Sequence, residues 1–321
     1  MPTDPKAVFV VGSPRSGTTL MAGAMSRLPG VWIGKETGFI PRLYAEGCQS
    51  VHDWGDRRLE ALIESVNSYL RIGHWARLAT VAGARRFWSK TGNVGYSGLV
   101  RYVWSLDEAP DRSTPIVTGD QTPNYVLALP LLEQLFPEAL YVHVVRDPRD
   151  VVASILPLRF GAESAGVAAS DWNECVAGWW AAERRIPAER RCEVRYEDLV
   201  RAPLATVQVL AAFLGVTGTD LEIADPSLAD PHGLAPLASH HERLAEPIDD
   251  RSVGRHRRDL SARDRALVEA ITYAGLVTYG YDVGPFRPSP ALAEDALLQA
   301  RERLTDLRRR AVRGVLRRWE R

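Results

Sequence analysis

One stretch near the start of the chain decides the fold: Ala7-Val-Phe-Val-Val11, then Gly12-Ser-Pro-Arg-Ser-Gly17, then Thr18-Thr19. Its first five residues form an unbroken apolar run rich in valine, which is typical of a parallel strand buried on both faces. A glycine-bounded turn follows, and the pattern then predicts a helix from Thr18 to Leu28, ended by Pro29-Gly30. A strand, a loop and a helix in this order open an α/β unit that binds nucleotides.

The same alternation of strands and helices continues along the chain. Short apolar runs predict further strands at 31–33, 116–118, 141–145 and 192–196. Proline starts and glycine or serine caps predict helices at 129–135, 148–156, 203–215 and 261–280, and residues 41–115 have a mostly helical pattern rich in aromatic residues. The sequence therefore predicts an α/β fold with a mostly parallel central sheet that helices cover on both faces.

Composition limits the class of partner. The 321 residues include 40 basic and 40 acidic side chains, and this balance argues against a nucleic-acid binder. Cys48, Cys175 and Cys192 lie far apart without metal-ligand spacing, so we predict no metal site and a reducing, cytoplasmic location. No window approaches the roughly 18 apolar residues of a membrane span, and residues 1–4 do not begin a secretory signal.

Proline-rich stretches predict the domain boundaries. We expect one large domain over residues 1–283, with a helical insertion at about 41–115 and a long irregular loop at 224–254. Residues 284–321 are predicted to form a proline-containing linker and an amphipathic basic helix. We expect this helix to pack on its own domain, on a second copy of the chain as a homodimer contact, or on a membrane surface.

The loop at 12–19 has the chemistry of a phosphate site. It is similar to the P-loop pattern of Gly, four residues, then Gly-Lys-Ser/Thr, but Thr18 stands where that pattern has lysine. Such a loop directs backbone N–H groups at an anion, and the following helix favours negative charge there. The missing lysine, and the lack of a strand ending in a magnesium-binding aspartate, argue against ATP or GTP as the ligand.

A second motif predicts a second anion site. It reads Val144-Val-Arg146-Asp-Pro-Arg-Asp150-Val-Val-Ala-Ser154. Arg146 follows a predicted strand, at the edge of the sheet where α/β proteins bind ligands, and Ser154 lies two turns into the next helix. An arginine and a hydroxyl that converge in this way suit a phosphate monoester.

Together the two motifs resemble the sulfotransferases that use 3′-phosphoadenosine 5′-phosphosulfate (PAPS). The resemblance covers about residues 7–283 and includes Tyr196-Glu-Asp-Leu199 and the Val253–Leu260 segment. It implies a P-loop-like three-layer α/β/α fold, with residues 41–115 as a helical cap on the acceptor side. It also implies that PAPS is the donor and that these residues bind it: Arg15, Ser16, Gly17, Thr18, Thr19, Arg146, Ser154, Tyr196 and Arg255.

The catalytic base follows from the sub-type that the sequence resembles. Gly34-Lys-Glu36-Thr-Gly-Phe-Ile-Pro-Arg42 is similar to the segment that carries a glutamate base in tyrosylprotein and bacterial sulfotransferases. The resemblance makes Glu36 the base, a role suited by burial that raises its pKa, and Arg15 the group that serves the leaving phosphate. Asp120 and His256 are the next candidates for the base. Gln121 departs from the family, because relatives commonly have a lysine there.

We therefore expect a PAPS-dependent O-sulfotransferase without a metal ion. Its acceptor would be the hydroxyl of a small molecule such as a secondary metabolite, a sugar or a lipid. A peptide tyrosine is the alternative acceptor that the Glu36 segment leaves open. Two alternatives belong to other classes: a P-loop small-molecule kinase, which a lysine at position 18 would favour, and a non-catalytic nucleotide-binding or partner-binding module, which Gln121 keeps open.

Overall fold

The structure is a computed structural model that divides into two compact units. The first unit comprises residues 1–12, 17–145 and 178–250, and the second comprises 13–16, 146–177 and 251–321. The residues that it describes are 5–45, 47–48, 51–107, 115–158, 161–216 and 248–283. The predicted linker and basic helix at 284–321, and most of the predicted loop at 224–254, lie outside the described residues.

Five strands and twelve α-helices alternate along the described residues. The strands are β1 (Lys6–Gly12), β2 (Val31–Gly34), β3 (Val117–Asp120), β4 (Leu140–Val145) and β5 (Arg191–Arg195). The helices of the first half are α1 (Thr18–Met25), α2 (Ile40–Ala45), α3 (Asp56–Ile72), α4 (Val81–Thr91), α5 (Tyr96–Trp104) and α6 (Leu129–Leu135). Those of the second half are α7 (Pro148–Ile155), α8 (Ala165–Glu183), α9 (Tyr196–Arg201), α10 (Pro203–Leu214), α11 (His256–Asp259) and α12 (Ala262–Thr278).

The five strands form one parallel sheet in the first unit, in the order β2-β3-β1-β4-β5. The chain starts in the central strand β1, builds one side of the sheet with β2 and β3, and then builds the other side with β4 and β5. The strand order thus reverses at β1, where α/β sheets bind ligands beyond the carboxyl ends of their strands. The loop that follows β1 therefore occupies the position that this topology favours for a ligand.

Phe9 lies at the centre of an aromatic cluster on one face of this sheet. Its fully buried ring contacts Trp104 edge-on at 5.5 Å and Phe136 edge-on at 5.3 Å, and it stacks on Tyr141 at 5.9 Å between ring centroids. Trp104 ends α5, whereas α1 packs against β1 and β2. Helices cover the sheet, as the apolar run of β1 predicts. The three-layer α/β/α fold is confirmed.

The second unit has a smaller core of its own, in which α7 packs against α11 and α12. Ser261 caps α12 by accepting a hydrogen bond from the N–H of Asp264 at 3.0 Å, as the sequence predicts. The buried side chains of this core come from α7, α8, the end of α11 and α12, and include Val152, Ala169, Leu260 and Val268.

Several predicted element bounds differ from those in the structure, among them the end of the first helix and the end of the fifth strand. The first helix ends at Met25, not at Leu28, and the Ser26 hydroxyl that follows accepts the N–H of Ile33 at 3.0 Å. Tyr196 begins α9 and does not end a strand, because the acidic residues Glu197 and Asp198 favour a helix start there. The boundary predicted at residue 283 stays a prediction. None of the described helices has the length and hydropathy needed to span a membrane.

Truncation of Phe9 tests this core. Phe9→Ala should lower the free energy of unfolding by about 3–5 kcal/mol, because it removes a buried ring from a close-packed cluster. Urea unfolding measures the change. Ile116→Ala is the matched control, since Ile116 is 56% exposed and its loss should cost no more than about 0.5 kcal/mol. A loss below 1 kcal/mol for Phe9→Ala would contradict the cluster's role.

Candidate active site

The loop after β1 needs glycine at both of its ends. Gly17 has a φ of 97° at the start of α1, and a Cβ there would lie 2.5 Å from Cδ2 of Tyr196. A Cβ on Gly12 would lie 2.4 Å from the main-chain oxygen of Val144. Tyr196, which is itself buried, packs directly against the loop. The backbone of Gly17 and Thr18 thus starts a helix at a place where any side chain at position 17 would collide with a ring.

The loop also carries a buried hydroxyl that the protein does not satisfy. Ser16 is fully buried, and its Oγ has no hydrogen-bond partner within the described ranges. The N–H of Ser16 donates to the main-chain oxygen of Ser13 at 3.1 Å, which closes the turn. Buried hydroxyl groups normally have a partner, so an unsatisfied one in a phosphate-type loop fits a ligand with oxygen atoms. Thr18 is 3% exposed and Thr19 is half-buried at the first turn of α1.

In the second unit, Arg15, Arg146 and Ser154 form one cluster. Arg15 Nε donates to Ser154 Oγ at 3.3 Å, and the main-chain oxygen of Arg15 accepts from Arg146 at 3.2 Å. Arg146 is 5% exposed and also donates to the main-chain oxygen of Ser252 at 2.8 Å. Arg15 has a φ of 70°, a conformation that costs energy in a residue with a side chain. Arg146 is therefore a buried connector of two segments, and not a solvated surface residue.

Asp150 holds the segment that carries Arg255, and the sequence did not predict this role. Its buried carboxylate accepts the N–H of Gly254 at 2.6 Å and the N–H of His256 at 2.9 Å, and it contacts Nδ1 of His256 at 2.6 Å. Burial raises the pKa of Asp150, but hydrogen bonds from His256 outweigh it, so the pKa is lowered from its ordinary value. Arg255 lies between these two anchored residues, and its Nε donates to Asp259 at 2.9 Å.

Glu36 follows β2 and is exposed, so the burial that would suit a base is absent. Its backbone is held nonetheless. The main-chain oxygen of Glu36 accepts from Trp75 Nε1 at 3.4 Å, and the neighbouring Lys35 donates its N–H to Asp107 at 3.2 Å. The ammonium of Lys35 donates to the main-chain oxygen of His74 at 2.8 Å. The Glu36 side chain thus extends toward solvent from a fixed main chain at the carboxyl edge of the sheet.

Asp120, at the end of β3, is fully buried and cannot reach an acceptor. One of its oxygens accepts the N–H of Thr122 at 2.7 Å, and the other accepts a short hydrogen bond from the Thr37 hydroxyl. Burial raises the pKa of Asp120 to about 6, although these hydrogen bonds oppose the change. His256, the other alternative base, is 5% exposed and bonded to Asp150. Neither alternative resembles a base that is open to substrate.

Gln121 lies between Asp120 and Thr122 and is 1% exposed. Its Oε1 is buried and has no hydrogen-bond partner in the part of the chain that the structure describes. An unsatisfied buried amide oxygen is unusual in a folded protein. Among the same described residues, no three His, Cys, Asp or Glu side chains are grouped as metal ligands.

Comparison with known proteins identifies the family. Residues 5–220 match the sulfotransferase family, so the chain belongs to it. The chain is 28% identical over 221 residues to protein-tyrosine sulfotransferase A of Caenorhabditis elegans, which covers 66% of this chain and 50% of that protein. It is 25% identical over 301 residues to nodulation protein NoeE of Sinorhizobium fredii, with 87% and 66% covered. The chain thus spans half the length of the first of these relatives.

Solved structures agree on the fold. The sulfotransferase domain of the Synechococcus PCC 7002 olefin synthase superposes with a TM-score of 0.60 at 24% identity, over 87% of this chain and 96% of that one. The sulfotransferase domain from the curacin biosynthetic pathway gives a TM-score of 0.58 at 18% identity, over 88% and 99%. The parallel sheet and its helices are therefore those of a sulfotransferase domain.

The pKa of Asp120 predicts how stability depends on pH. The folded protein binds the Asp120 proton more tightly than the unfolded chain, whose pKa is near the ordinary 3.8. This stabilisation is fully present below about pH 4 and is lost as the pH rises through about 6, a loss of about 3 kcal/mol.

Urea unfolding between pH 4 and pH 7 measures this contribution. The pH-dependent part of the free energy of unfolding should be missing from Asp120→Asn. It should be unchanged in Asp53→Asn, which removes an exposed carboxylate. If the free energies of unfolding of Asp120→Asn and the wild type differ by the same amount at every pH in this range, the raised pKa of Asp120 is contradicted.

Proposed function

We propose that this chain transfers the sulfuryl group of PAPS to a hydroxyl of a small-molecule acceptor. The products are a sulfate ester and adenosine 3′,5′-bisphosphate. The observation that carries the proposal is the cluster of Arg15, Arg146 and Ser154, in which a buried guanidinium holds the backbone of a second arginine. Two arginines and a hydroxyl gathered in one cluster suit an anion, and membership of the sulfotransferase family supports the 3′-phosphate of the donor as that anion.

The remaining donor contacts follow the chemistry of each residue. Backbone N–H groups of Gly17, Thr18 and Thr19 at the start of α1 suit the 5′-phosphosulfate, and the unsatisfied hydroxyl of Ser16 supplies one more hydrogen bond. We assign Tyr196, packed against Gly17, to the nucleotide, and Arg255 to the 3′-phosphate. Arg255 now forms a half-buried ion pair with Asp259, four residues further along the chain. When the donor binds, Arg255 would leave Asp259 and bind the phosphate instead.

The reaction is an in-line displacement at sulfur. Glu36 removes the proton of the acceptor hydroxyl, the oxygen forms a bond to sulfur, and the bond from sulfur to the bridging phosphate oxygen breaks. Arg15 and the loop N–H groups stabilise the charge that develops on the leaving phosphate. In this mechanism the exposed Glu36 becomes desolvated only when the acceptor covers it, and no step uses a metal ion. Gln121 donates a hydrogen bond at most where a lysine would add a charge.

A peptide tyrosine is the second candidate acceptor. Several of the curated relatives are named protein-tyrosine sulfotransferases, which favours this alternative. Incubation of purified chain with sulfur-labelled PAPS and two substrate pools, a small-metabolite extract and a set of tyrosine peptides, decides between them. Label in the metabolite pool alone supports the proposal, and label in the peptides alone supports the alternative. The cytoplasmic location and the surface that the C-terminal residues contact stay predictions.

The second phosphate site predicts a preference among nucleotides. Adenosine 3′,5′-bisphosphate should bind at least about tenfold more tightly than ADP, because each charge-assisted hydrogen bond to its 3′-phosphate contributes about 1.5–3 kcal/mol. Titration calorimetry measures both affinities. Equal affinity for the two nucleotides would exclude this donor site. It would favour the alternative functions, a small-molecule kinase or a non-catalytic nucleotide-binding module.

Ser154→Ala tests whether the Ser154 hydroxyl contributes to the preference for the bisphosphate. The variant should weaken the bisphosphate about fivefold and leave ADP unchanged, because it removes one hydroxyl from the cluster. Ser170→Ala is the control, since the Ser170 hydroxyl bonds only to the main-chain oxygen of Gly166 on its own helix.

A variant that lacks the proposed base Glu36 should transfer the sulfuryl group slowly but still bind the donor nucleotide. Glu36→Gln keeps the size of the side chain but cannot take a proton, so single-turnover transfer should slow by about 10²–10⁴-fold. Affinity for the bisphosphate should hold or rise slightly, because a negative charge is lost. Glu60→Gln, which changes an exposed carboxylate on α3, should leave both quantities unchanged. Transfer within threefold of wild type in Glu36→Gln would remove Glu36 from the mechanism.

A further inference from the structure

The segment that follows Glu36 is fastened by side chains rather than by a strand ladder. The N–H groups of Thr37 and Gly38 both donate to the Thr122 hydroxyl, at 3.1 and 3.3 Å. The N–H of Ile40 donates to the phenol oxygen of Tyr125 at 3.0 Å. Three of the four backbone donors after Glu36 thus depend on the hydroxyl groups of Thr122 and Tyr125, which lie on the segment after β3.

The hydroxyl groups of Tyr125 and Thr37 form a chain that ends on Asp120. The Tyr125 oxygen lies 2.7 Å from the Thr37 oxygen, and the Thr37 hydroxyl donates to the Asp120 carboxylate. Because the carboxylate only accepts, the Thr37 proton must point at Asp120, and the Tyr125 proton must then point at Thr37. Asp120 therefore sets the direction of the chain from Ile40 through Tyr125 and Thr37.

None of these groups is open to a substrate. Asp120 is fully buried, and Thr37 and Tyr125 are each 2% exposed, whereas Glu36 is exposed. Any effect of the chain on sulfuryl transfer is therefore indirect, and Thr37 directly adjoins Glu36. A general base has to lie within hydrogen-bond reach of the acceptor, and a displacement of about 1 Å in such a site costs about 100-fold in rate.

We propose that Asp120 is a positioning residue that acts through Thr37 to hold Glu36 at the acceptor. This inference rests on the proposed function of Glu36 as the base. The carboxylate orders the hydroxyl groups of Thr37 and Tyr125, and the Tyr125 oxygen accepts the N–H of Ile40. Thr37, the neighbour of Glu36, is thus held by its side chain on Asp120 and by its N–H on Thr122, and this limits where the Glu36 carboxylate can go.

Hydrogen exchange tests, without any acceptor, whether the Thr37 hydroxyl holds the backbone that follows Glu36. In the full chain, Thr37→Val removes the hydroxyl at nearly constant volume, and Thr37→Ser retains it. The backbone amide of Ile40, which donates to Tyr125, should exchange at least about tenfold faster in Thr37→Val than in wild type, and at the wild-type rate in Thr37→Ser. Thr272→Val is the matched control, because its buried hydroxyl bonds only to its own helix. Unchanged exchange in Thr37→Val would overturn the proposal.

Transfer kinetics test whether Thr37 and Asp120 affect the rate of sulfuryl transfer. Thr37→Val and Asp120→Asn should each slow single-turnover transfer about 10- to 100-fold, with the affinity for adenosine 3′,5′-bisphosphate within twofold of wild type. Thr37→Ser should transfer within threefold of wild type. Loss of donor affinity in step with rate would indicate a general structural role and overturn the proposal. If Asp120→Asn does not fold, the two Thr37 variants carry the test.

A double variant separates this inference from the function on which it rests. Once Glu36 has become glutamine, Thr37→Val should slow transfer by less than twofold more, because the group that it positions no longer takes the proton. A full additional loss would show that Thr37 acts elsewhere and overturn the positioning role alone. Wild-type transfer in the single variant Glu36→Gln would instead overturn the proposed function.

Discussion

A carboxylate removed from water needs hydrogen-bond donors from the chain around it, and one segment in each unit depends on this constraint. Asp120 in the first unit collects the N–H of Thr122 and the hydroxyl of Thr37. Asp150 in the second unit collects two backbone N–H groups and the ring of His256. In each unit an irregular segment, which has no ladder of its own, is held in place because a buried charge would otherwise lack partners.

The parallel sheet explains why such anchors are needed. Its strands use their backbone groups to bond one another, and helices cover its faces, so only the loops beyond the strand ends can contact a ligand. Loops have few backbone bonds to hold them. The loop after β1 is held by the packing of Tyr196 on Gly17, and the segment after β2 is held by hydroxyl groups. Side chains thus supply the rigidity that the backbone cannot.

The sequence predicts well what is local and poorly what is not. A strand, a glycine-bounded loop and a helix lie within twenty residues, so the fold class and the phosphate loop were open to prediction. Arg146 and Ser154 lie eight residues apart and were predicted as a pair. The bonds from Thr37 to Asp120 and from His256 to Asp150 join residues 83 and 106 positions apart, which no spacing rule reveals.

Burial of single side chains was equally hard to predict. A residue just after a strand can point into the sheet or away from it, and the sequence of Glu36 and its neighbours does not distinguish the two. The structure buries Lys35 and Thr37 and exposes Glu36 between them. This alternation is what an extended segment with one buried face produces.

In the proposed mechanism, the two carboxylates of Glu36 and Asp120 serve different purposes. A carboxylate whose oxygens are already occupied has no lone pair in reach of an acceptor and so contributes position, whatever its affinity for protons. An exposed carboxylate can approach an acceptor, and it becomes useful to the reaction only if its backbone is held. Asp120 meets the first description and Glu36 the second. The buried carboxylate of Asp120 accepts from Thr37, and Thr37 adjoins Glu36, so in the proposed mechanism the burial of one carboxylate gives the other a defined position.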